Sequence, residues 1–421
     1  MSRHYRIRQS LLLLLVLGNL FTSAEAMERR REQFTKTPGH YIVPMPYSLP
    51  GIGEGLLVGG SYNNANDSHT DYIGFVMTGD LQGFGLIAKD VHLLPESLIA
   101  DFSFQRINKG TVNNYNTRGM NNGENDYTLL DFEDNDYSAV RLTSTHYDRM
   151  FELNAGALNG KGTLVRIRDK DGNLIQEAGG TNNNEYTVYT IGVLADWTDD
   201  YLDPRSGVRF QMSRWWRDES SSLASDYYQI EQNLTGYFAM GKRSTLVFNF
   251  FRADAFVTRQ GPTDFAVVEA NQGLNCSDPG LTAAQANLCT NVVNNAVANN
   301  IYGSVGSLGG WSRLRAYPND RYKGAHALFW GTEFRWNLTE EFQPFDLWIA
   351  RDVRTAIQVA FFYERASVAD QKGELGNIWR ESYGVGGRIV TASGLVFRFD
   401  YATGDEGPQM TAIIGYPWES F

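Results

Sequence analysis

The stretch "WGTEFRW", Trp330 to Trp336, alternates large apolar side chains with polar and charged ones. Successive side chains of a strand point to opposite faces, so Phe334 and Trp336 share one face while Glu333 and Arg335 share the other. A charged side chain facing hydrocarbon costs roughly 2 to 4 kcal/mol at the bilayer midplane, so the charged face requires a polar interior. The stretch therefore predicts a transmembrane β-strand with lipid on one side and a polar lumen on the other.

The same alternation recurs along the chain. It is found in Phe151 to Ala157, Val208 to Ser213, Leu246 to Phe251, Ile357 to Glu364 and Phe397 to Tyr401. Counting such segments gives roughly fourteen to sixteen strands, and bacterial single-chain barrels have an even number. We therefore predict an all-β fold, a transmembrane antiparallel β-barrel of about 16 strands. A soluble sandwich with one solvated face would show the same alternation and is the alternative.

The N-terminus has the features of an export signal. Basic residues precede the apolar run Leu11 to Phe21, and "AEA", which ends at Ala26, matches a small-x-small cleavage site. We predict a signal peptide at residues 1–26, a short periplasmic tail at residues 27–46 and the barrel at residues 47–421.

Composition narrows the class of protein further. The chain of 421 residues carries a formal net charge of -11, which argues against nucleic acid as a partner. No run of 18 apolar residues follows Ala26, so a helical membrane protein is excluded. Tryptophans at segment ends, such as Trp197 and Trp418, favour the aromatic girdle of a barrel over a sandwich. We expect the outer membrane of a Gram-negative bacterium as the location, its lipid and lipopolysaccharide as the surroundings, and the barrel-assembly machinery as the partner for insertion.

Three stretches interrupt the alternation and predict long connections. The first, Ile107 to Asp136, is rich in asparagine, glycine and aspartate. The second, Gly162 to Asn184, contains an Asp-Gly pair flanked by alternating residues, which is a hairpin signal. The third, Gln260 to Asn300, contains a helix-like run and both cysteines, Cys276 and Cys289. An exported chain meets an oxidising compartment, so we predict that these two cysteines form a disulfide within an insertion at residues 260–300. The alternative, a metal site, would need more ligands than two cysteines.

Motifs of known catalytic sites are missing from the sequence. It contains no H-E-x-x-H, no G-x-S-x-G and no glycine-rich phosphate loop. His92 and His146 each lie near an aspartate in sequence, but neighbouring residues of a strand point to opposite faces. We therefore expect no catalytic residues, no metal, no cofactor and no enzymatic activity.

A concentrated basic segment, "GGWSRLRAYPNDRYKG" from Gly309 to Gly324, precedes the opening strand. Its "LRAY" part resembles the [VIL]-R-G-[FY] motif in the sixth extracellular loop of the outer-membrane-protein-eighty-five superfamily, the BamA/TamA-type surface-antigen barrels and two-partner secretion pores. Similarly, "FFYERA" resembles the F-x-[DE]-x-G strand motif of that superfamily. Both motif glycines are alanine in this chain, Ala316 and Ala366, which confines the backbone to negative φ unless strain is tolerated.

The resemblance implies an inward-folded basic extracellular loop whose arginine pairs with a strand carboxylate. It implies a loop latch made of Arg315, Tyr317, Glu364 and Phe362, in a lumen with the polar side chains of Glu333, Arg335, Arg398 and Asp400. The alternative is an ordinary solvated basic loop. If the arginine loop is extracellular, the insertion one strand earlier is expected to be periplasmic. The seam is expected to join Leu56 to Tyr62 with Met410 to Trp418. Pro417 cannot donate to a ladder, so it either weakens the pairing there or only ends the strand at the periplasmic rim.

The resemblance also implies a function. It suggests a non-enzymatic barrel of BamA/TamA type that acts in outer-membrane assembly or in translocation of protein or lipid, with an unknown client. We expect no counterpart of the family's amino-terminal POTRA repeats, since the predicted tail of residues 27–46 is too short for a domain. The alternative is a diffusion channel or a surface-structural barrel without insertase activity.

Overall fold

The computed structural model describes residues 33–34, 38–177, 183–217, 223–339, 344–347, 350–391 and 396–418. The predicted signal peptide with its cleavage site at Ala26 lies outside the described residues. Within the described part of the chain, no helix is long and apolar enough to cross a membrane.

Sixteen antiparallel strands close into one barrel, which confirms the predicted fold class. In chain order they are β1 (Gly39–Leu49), β2 (Gly53–Asn63), β3 (Asp71–Gly79), β4 (Gln82–Leu94), β5 (Leu98–Tyr115), β6 (Tyr127–His146), β7 (Phe151–Arg168), β9 (Asn183–Thr198), β10 (Gly207–Arg217), β11 (Asp226–Met240), β12 (Ser244–Arg259), β13 (His326–Asn337), β15 (Ala350–Ala369), β16 (Arg380–Thr391), β17 (Val396–Gly404) and β18 (Gly407–Ile414). The four-residue strands β8 (Leu174–Glu177) and β14 (Pro344–Leu347) only extend hairpins, so β7 pairs directly with β9 and β13 with β15.

The two faces of the strands separate as the alternation predicts. Trp336, Phe361 and Tyr401 are 47%, 51% and 50% exposed on the outer surface, whereas Glu333 and Glu364 are fully buried inside. An apolar exterior around a charged interior is the arrangement that a bilayer requires of a spanning barrel.

The barrel begins earlier in the chain than predicted. Part of the predicted tail of residues 27–46 forms β1, and Leu56 to Tyr62 belongs to β2 rather than to the first strand. β1 pairs with β2 along its whole length, including at Pro44 and Pro46. Proline has no backbone N–H, so in a strand that is fully paired with β2 its nitrogen must lie on the edge that faces away from β2. The two prolines therefore leave the other edge of β1 without two hydrogen-bond donors.

That other edge of β1 forms the seam of the barrel with β18, and Tyr41 of β1 also pairs with Ala350 of β15. The ladder between β1 and β18 consists of a single pair, Ser48 with Ala412. Side-chain packing supplements it: Tyr41 and Met45 cover the outward-facing Phe397 of β17, which is only 7% exposed. The expected seam at Leu56 to Tyr62 is wrong, because those residues lie on β2 and the edge next to β18 is β1. Pro417 lies outside the seam, because β18 ends at Ile414.

One long connection, residues 260–325, joins β12 to β13. It contains α1 (Phe265–Asn271) and α2 (Ala283–Tyr302), followed by a segment whose only strand-like feature is an isolated bridge between Leu308 and Tyr322. The helices and the arginine loop thus leave the barrel at the same end. The prediction that the insertion lies at the opposite end from Arg315 is wrong, because no strand separates them.

The barrel has two unlike ends. The end that carries residues 260–325 also carries the connection between β5 and β6, and we call it the loop end. That connection spans only residues 116–126, because both strands extend into the predicted loop Ile107 to Asp136. The opposite end carries shorter turns, such as residues 147–150 and 241–243, and we call it the turn end.

Candidate functional site

Residues 304–325, which we call the latch loop, fold from the loop end into the lumen. Leu308, Leu314, Tyr317 and Tyr322 are buried there. The bridge between Leu308 and Tyr322 closes the base of the loop, and the amide of Tyr317 donates to the carbonyl of Leu314 at 3.0 Å. Leu314 has a φ of 58°, in the left-handed region. The loop is thus a compact turn inside the barrel rather than a solvated basic loop.

Arg315, at the tip of this turn, contacts three carboxylates. Its Nε donates to Oε1 of Glu364 at 2.9 Å, and its backbone amide donates to Oε2 of the same residue at 2.9 Å. The two terminal nitrogens donate to Asp400 at 2.9 Å and to Glu333 at 3.2 Å. All four side chains are 0% exposed. The structure therefore brings together Arg315 and Glu364, as the resemblance implies, and adds two acidic partners.

The other two residues of the expected latch also lie in this contact region. The guanidinium carbon of Arg315 lies 3.4 Å from the ring centroid of Phe362. Tyr317 donates its hydroxyl hydrogen to the carbonyl of Glu381 at 3.2 Å. Burial raises the pKa of the Tyr317 phenol to about 12, so the hydroxyl keeps its proton and remains a donor at neutral pH.

The polar residues predicted for the lumen form a charged layer beneath the loop. Oε1 of Glu333 accepts from Nε of Arg335 at 2.8 Å and from Arg388 at 2.7 Å. Arg398 lies 3.3 Å from Asp400 and donates to the carbonyl of Trp311 at 2.6 Å. Arg388 was not singled out in the sequence, although the alternation of β16 places it on the inner face.

Ala316, which replaces the motif glycine, fits without backbone strain. Its φ angle is not positive, and its amide donates to the Ser382 hydroxyl at 2.9 Å. Space for its methyl group comes from Gly404 of β17, where an added Cβ would lie 3.1 Å from the Cβ of Ala316. A glycine on a neighbouring strand thus accommodates the alanine in the loop.

The segment after β18 turns back into the lumen from the turn end. The indole of Trp418 is 2% exposed, and its carbonyl accepts a hydrogen bond from Asn233 at 2.7 Å. Its Nε1 donates to Oε1 of Glu364 at 2.7 Å. The interpretation of Trp418 as a girdle residue is wrong, because the chain leaves the wall after Ile414 and carries the indole to the latch.

At the loop end, further arginines tie the connections to one another. Arg321 of the latch loop contacts Glu406 and donates to the Asn122 side chain at 2.6 Å. Arg118 contacts Asp370 at 2.9 Å and donates to the Gly303 carbonyl, at the end of α2, at 2.8 Å. These contacts hold the connections across the mouth of the barrel.

The helical insertion, residues 260–303, lies against these connections. The predicted disulfide between Cys276 and Cys289 is confirmed, with 5.3 Å between the two Cα atoms. Gln176 of β8 donates to the Gly273 carbonyl at 2.9 Å, and Asn291 of α2 donates to Asp126 at 3.3 Å. The insertion therefore contacts two neighbouring connections and covers part of the loop end.

Comparison with solved structures shows a shared fold at very low sequence identity. CdiB from Escherichia coli has a TM-score of 0.52 at 11% identity, over 90% of this chain and 63% of that chain. BamA from Haemophilus ducreyi lacking POTRA domains 1–3 has a TM-score of 0.47 at 12% identity, over 91% of this chain and 70% of that chain. CdiB from Acinetobacter baumannii has a TM-score of 0.47 at 10% identity, over 90% of this chain and 59% of that chain.

These comparisons bear on the fold alone. The chain spans less than two thirds of the length of either CdiB protein. No family model and no curated protein matches it. The chain is a large β-barrel that resembles outer-membrane proteins of Gram-negative bacteria.

Proposed function

We propose that the protein is an outer-membrane barrel of the outer-membrane-protein-eighty-five type that acts in membrane assembly or in translocation of protein or lipid. The observation that carries the proposal is the latch. Arg315, on a loop folded into the lumen, contacts Glu364 on the inner face of β15 in a fully buried ion pair. These two residues also lie in the segments that resemble motifs of that superfamily: Arg315 in "LRAY" and Glu364 in "FFYERA".

The seam supports the proposal independently. A single ladder pair, Ser48 with Ala412, joins β1 to β18, while β1 and β2 are paired from end to end. A bilayer contains no water that could satisfy the unpaired backbone groups of such an edge. An incoming strand or lipid can therefore enter between β1 and β18 with few hydrogen bonds to break.

The natural test is to lock the seam. Ser48→Cys together with Ala412→Cys places two thiols on directly opposed residues of β1 and β18, within reach of a disulfide. We expect cells that depend on the oxidised double variant to lose outer-membrane proteins, or surface lipid, as after depletion of the protein. Reduction restores them, and each single variant is the control. Full complementation by the fully crosslinked protein would rule out lateral opening.

The competing function, a diffusion channel, conflicts with a filled lumen. Leu314, Tyr317 and Trp418 are all buried within it. We therefore expect the wild-type protein to show no steady conductance in planar bilayers and Arg315→Ala to open transiently. A large stable conductance of the wild-type protein would favour the channel instead. Conductance measured after reduction of the Cys276–Cys289 disulfide is a separate control, which tests whether the helical insertion blocks the lumen.

A further inference from the structure

A chamber in the lumen lies between the latch and the turn end, on the wall from β4 to β13. Its cavity volume is about 100 Å³. Its floor contains Pro417 and Trp418. Among the described residues that line it, the charged side chains are Lys89, Arg141, Arg209, Arg335 and Glu152. Cations therefore outnumber carboxylates on its surface.

Arg335 presents an unused edge of its guanidinium to this chamber. Its side chain is only 4% exposed, and its Nε donates to Oε1 of Glu333 at 2.8 Å. In the part of the chain that the structure describes, neither of its terminal nitrogens has a hydrogen-bond acceptor, and neither is shut off from the chamber. The guanidinium is held 4.2 Å from the ring centroid of Tyr416. The arginine is thus fixed in place with its terminal nitrogens free.

Two further cations have spare donors. The ammonium of Lys89 makes no hydrogen bond and no ion pair with any described side chain, although the carboxylate of Asp71, opposite it on β3, interacts with it electrostatically. Arg141 uses Nε and one terminal nitrogen, both on Oδ2 of Asp101, at 2.9 Å and 2.6 Å. Its remaining terminal nitrogen has no acceptor within the described chain. Three strands, β4, β6 and β13, therefore direct unused cationic donors into one space.

In the charged layer above the chamber, several arginines share the same carboxylates. Oxygens of Glu333 are shared by Arg315, Arg335 and Arg388. In this layer four arginines face three carboxylates: Arg315, Arg335, Arg388 and Arg398 against Glu333, Glu364 and Asp400.

We propose that the chamber binds a phosphate-type oxyanion, either free or carried on a small solute. The two terminal nitrogens of a guanidinium match two oxygens of a phosphate group in a bidentate hydrogen bond. The ammonium of Lys89 adds a mobile point charge with three donors. Arg335 holds the anion, and Lys89 and Arg141 complete its coordination.

The test is calorimetric titration of the purified full-length protein in detergent with inorganic phosphate. Lys89→Gln removes a donor that has no hydrogen-bond partner in the described chain, so the barrel keeps its heat-modifiable mobility. We expect this variant to bind phosphate about tenfold more weakly, as for the loss of one charge-assisted hydrogen bond. The matched control is Lys242→Gln, an exposed lysine on the turn of residues 241–243, outside the chamber. It should bind like the wild-type protein.

A second variant and a second ligand complete the design. Arg335→Gln should also weaken binding, and its mobility shift shows whether the barrel has formed. Tighter binding of glucose 1-phosphate than of phosphate would mean that the chamber binds a phosphate group carried on a small solute. Equal or weaker binding of glucose 1-phosphate would mean that the chamber binds the free ion. The proposal fails if the wild-type protein shows no saturable heat with either ligand, or if Lys242→Gln weakens binding as much as Lys89→Gln.

Discussion

Trp418 donates its indole hydrogen to Oε1 of Glu364 at 2.7 Å, and this oxygen also accepts Nε of Arg315. The segment that follows β18 and the latch loop therefore meet at one carboxylate. β18 is also the strand with the single pair to β1. Only residues 415–417 separate the end of β18 from the tryptophan that contacts this carboxylate.

Glu364→Gln should destabilise the barrel strongly. The substitution keeps the size of the side chain but removes one of the three carboxylates around a buried arginine. We expect a loss of about 3 to 5 kcal/mol, measured as a lower temperature at which heat-modifiable mobility disappears. The control is Glu381→Gln, whose ion pair with Arg365 is 3.6 Å long and partly exposed, and whose loss should cost below about 1 kcal/mol. Equal unfolding profiles for both variants would show that the latch contributes no stability.

Reversing the pair should not restore stability. In the double variant Arg315→Glu with Glu364→Arg, the new glutamate faces Asp400 and Glu333, which accept from Arg315 in the wild-type protein. We therefore expect the double variant to unfold at least as readily as either single variant. Full recovery in the same electrophoretic assay would mean that the pair is independent of the charged layer.

Trp418→Phe should have a smaller effect on the same site. The variant loses the donor to Glu364 but keeps an aromatic ring near Phe329 and the backbone contact with Asn233. We expect a loss of about 1 kcal/mol in unfolding free energy, since Glu364 still accepts from Arg315. Trp336→Phe on the outer surface is the control and should unfold like the wild-type protein. If the two variants behave alike, the indole does not support the latch.

Gly404→Ala should disturb the latch loop by crowding. An added Cβ would lie 2.6 Å from the carbonyl oxygen of Glu381 and 3.0 Å from the Tyr317 hydroxyl. We expect a loss of about 1 to 3 kcal/mol, as is usual for overpacking. Gly387→Ala on β16 is the matched control, because an added Cβ there has no atom within 4 Å. Unchanged thermal mobility of both variants would contradict close packing around Ala316.

The sidedness of the helical insertion can be tested by labelling. Bacterial barrels have short periplasmic turns and longer extracellular loops, so we expect the loop end to face outward. Ala266→Cys on α1 should react with an impermeant maleimide on intact cells. Lys242→Cys on the turn of residues 241–243 should react only after permeabilisation. The opposite pattern would place the disulfide in the periplasm.

The alternation of apolar and polar residues was sufficient to predict a barrel of about 16 strands and the face of many strand side chains. Trp336 and Phe361 lie outside and Glu333 lies inside, because the face of a strand residue is a local property with a period of two. The motif resemblance brought Arg315 and Glu364 to one site. Local composition was less informative elsewhere: parts of Ile107 to Asp136 and of residues 27–46 are strands, because pairing with neighbouring strands outweighs weak propensity.

Tertiary structure alone decided which inner side chains meet. Glu333, Glu364 and Asp400 lie on three different strands, and only closure of the barrel and entry of the latch loop bring them to Arg315. Trp418 can reach the lumen because β18 ends at Ile414. The helical insertion lies at the loop end because no strand separates it from the latch loop. Alternation gives the face on which a residue lies but not its depth along the barrel axis. Two side chains meet within the lumen only if both face inward and lie at the same depth.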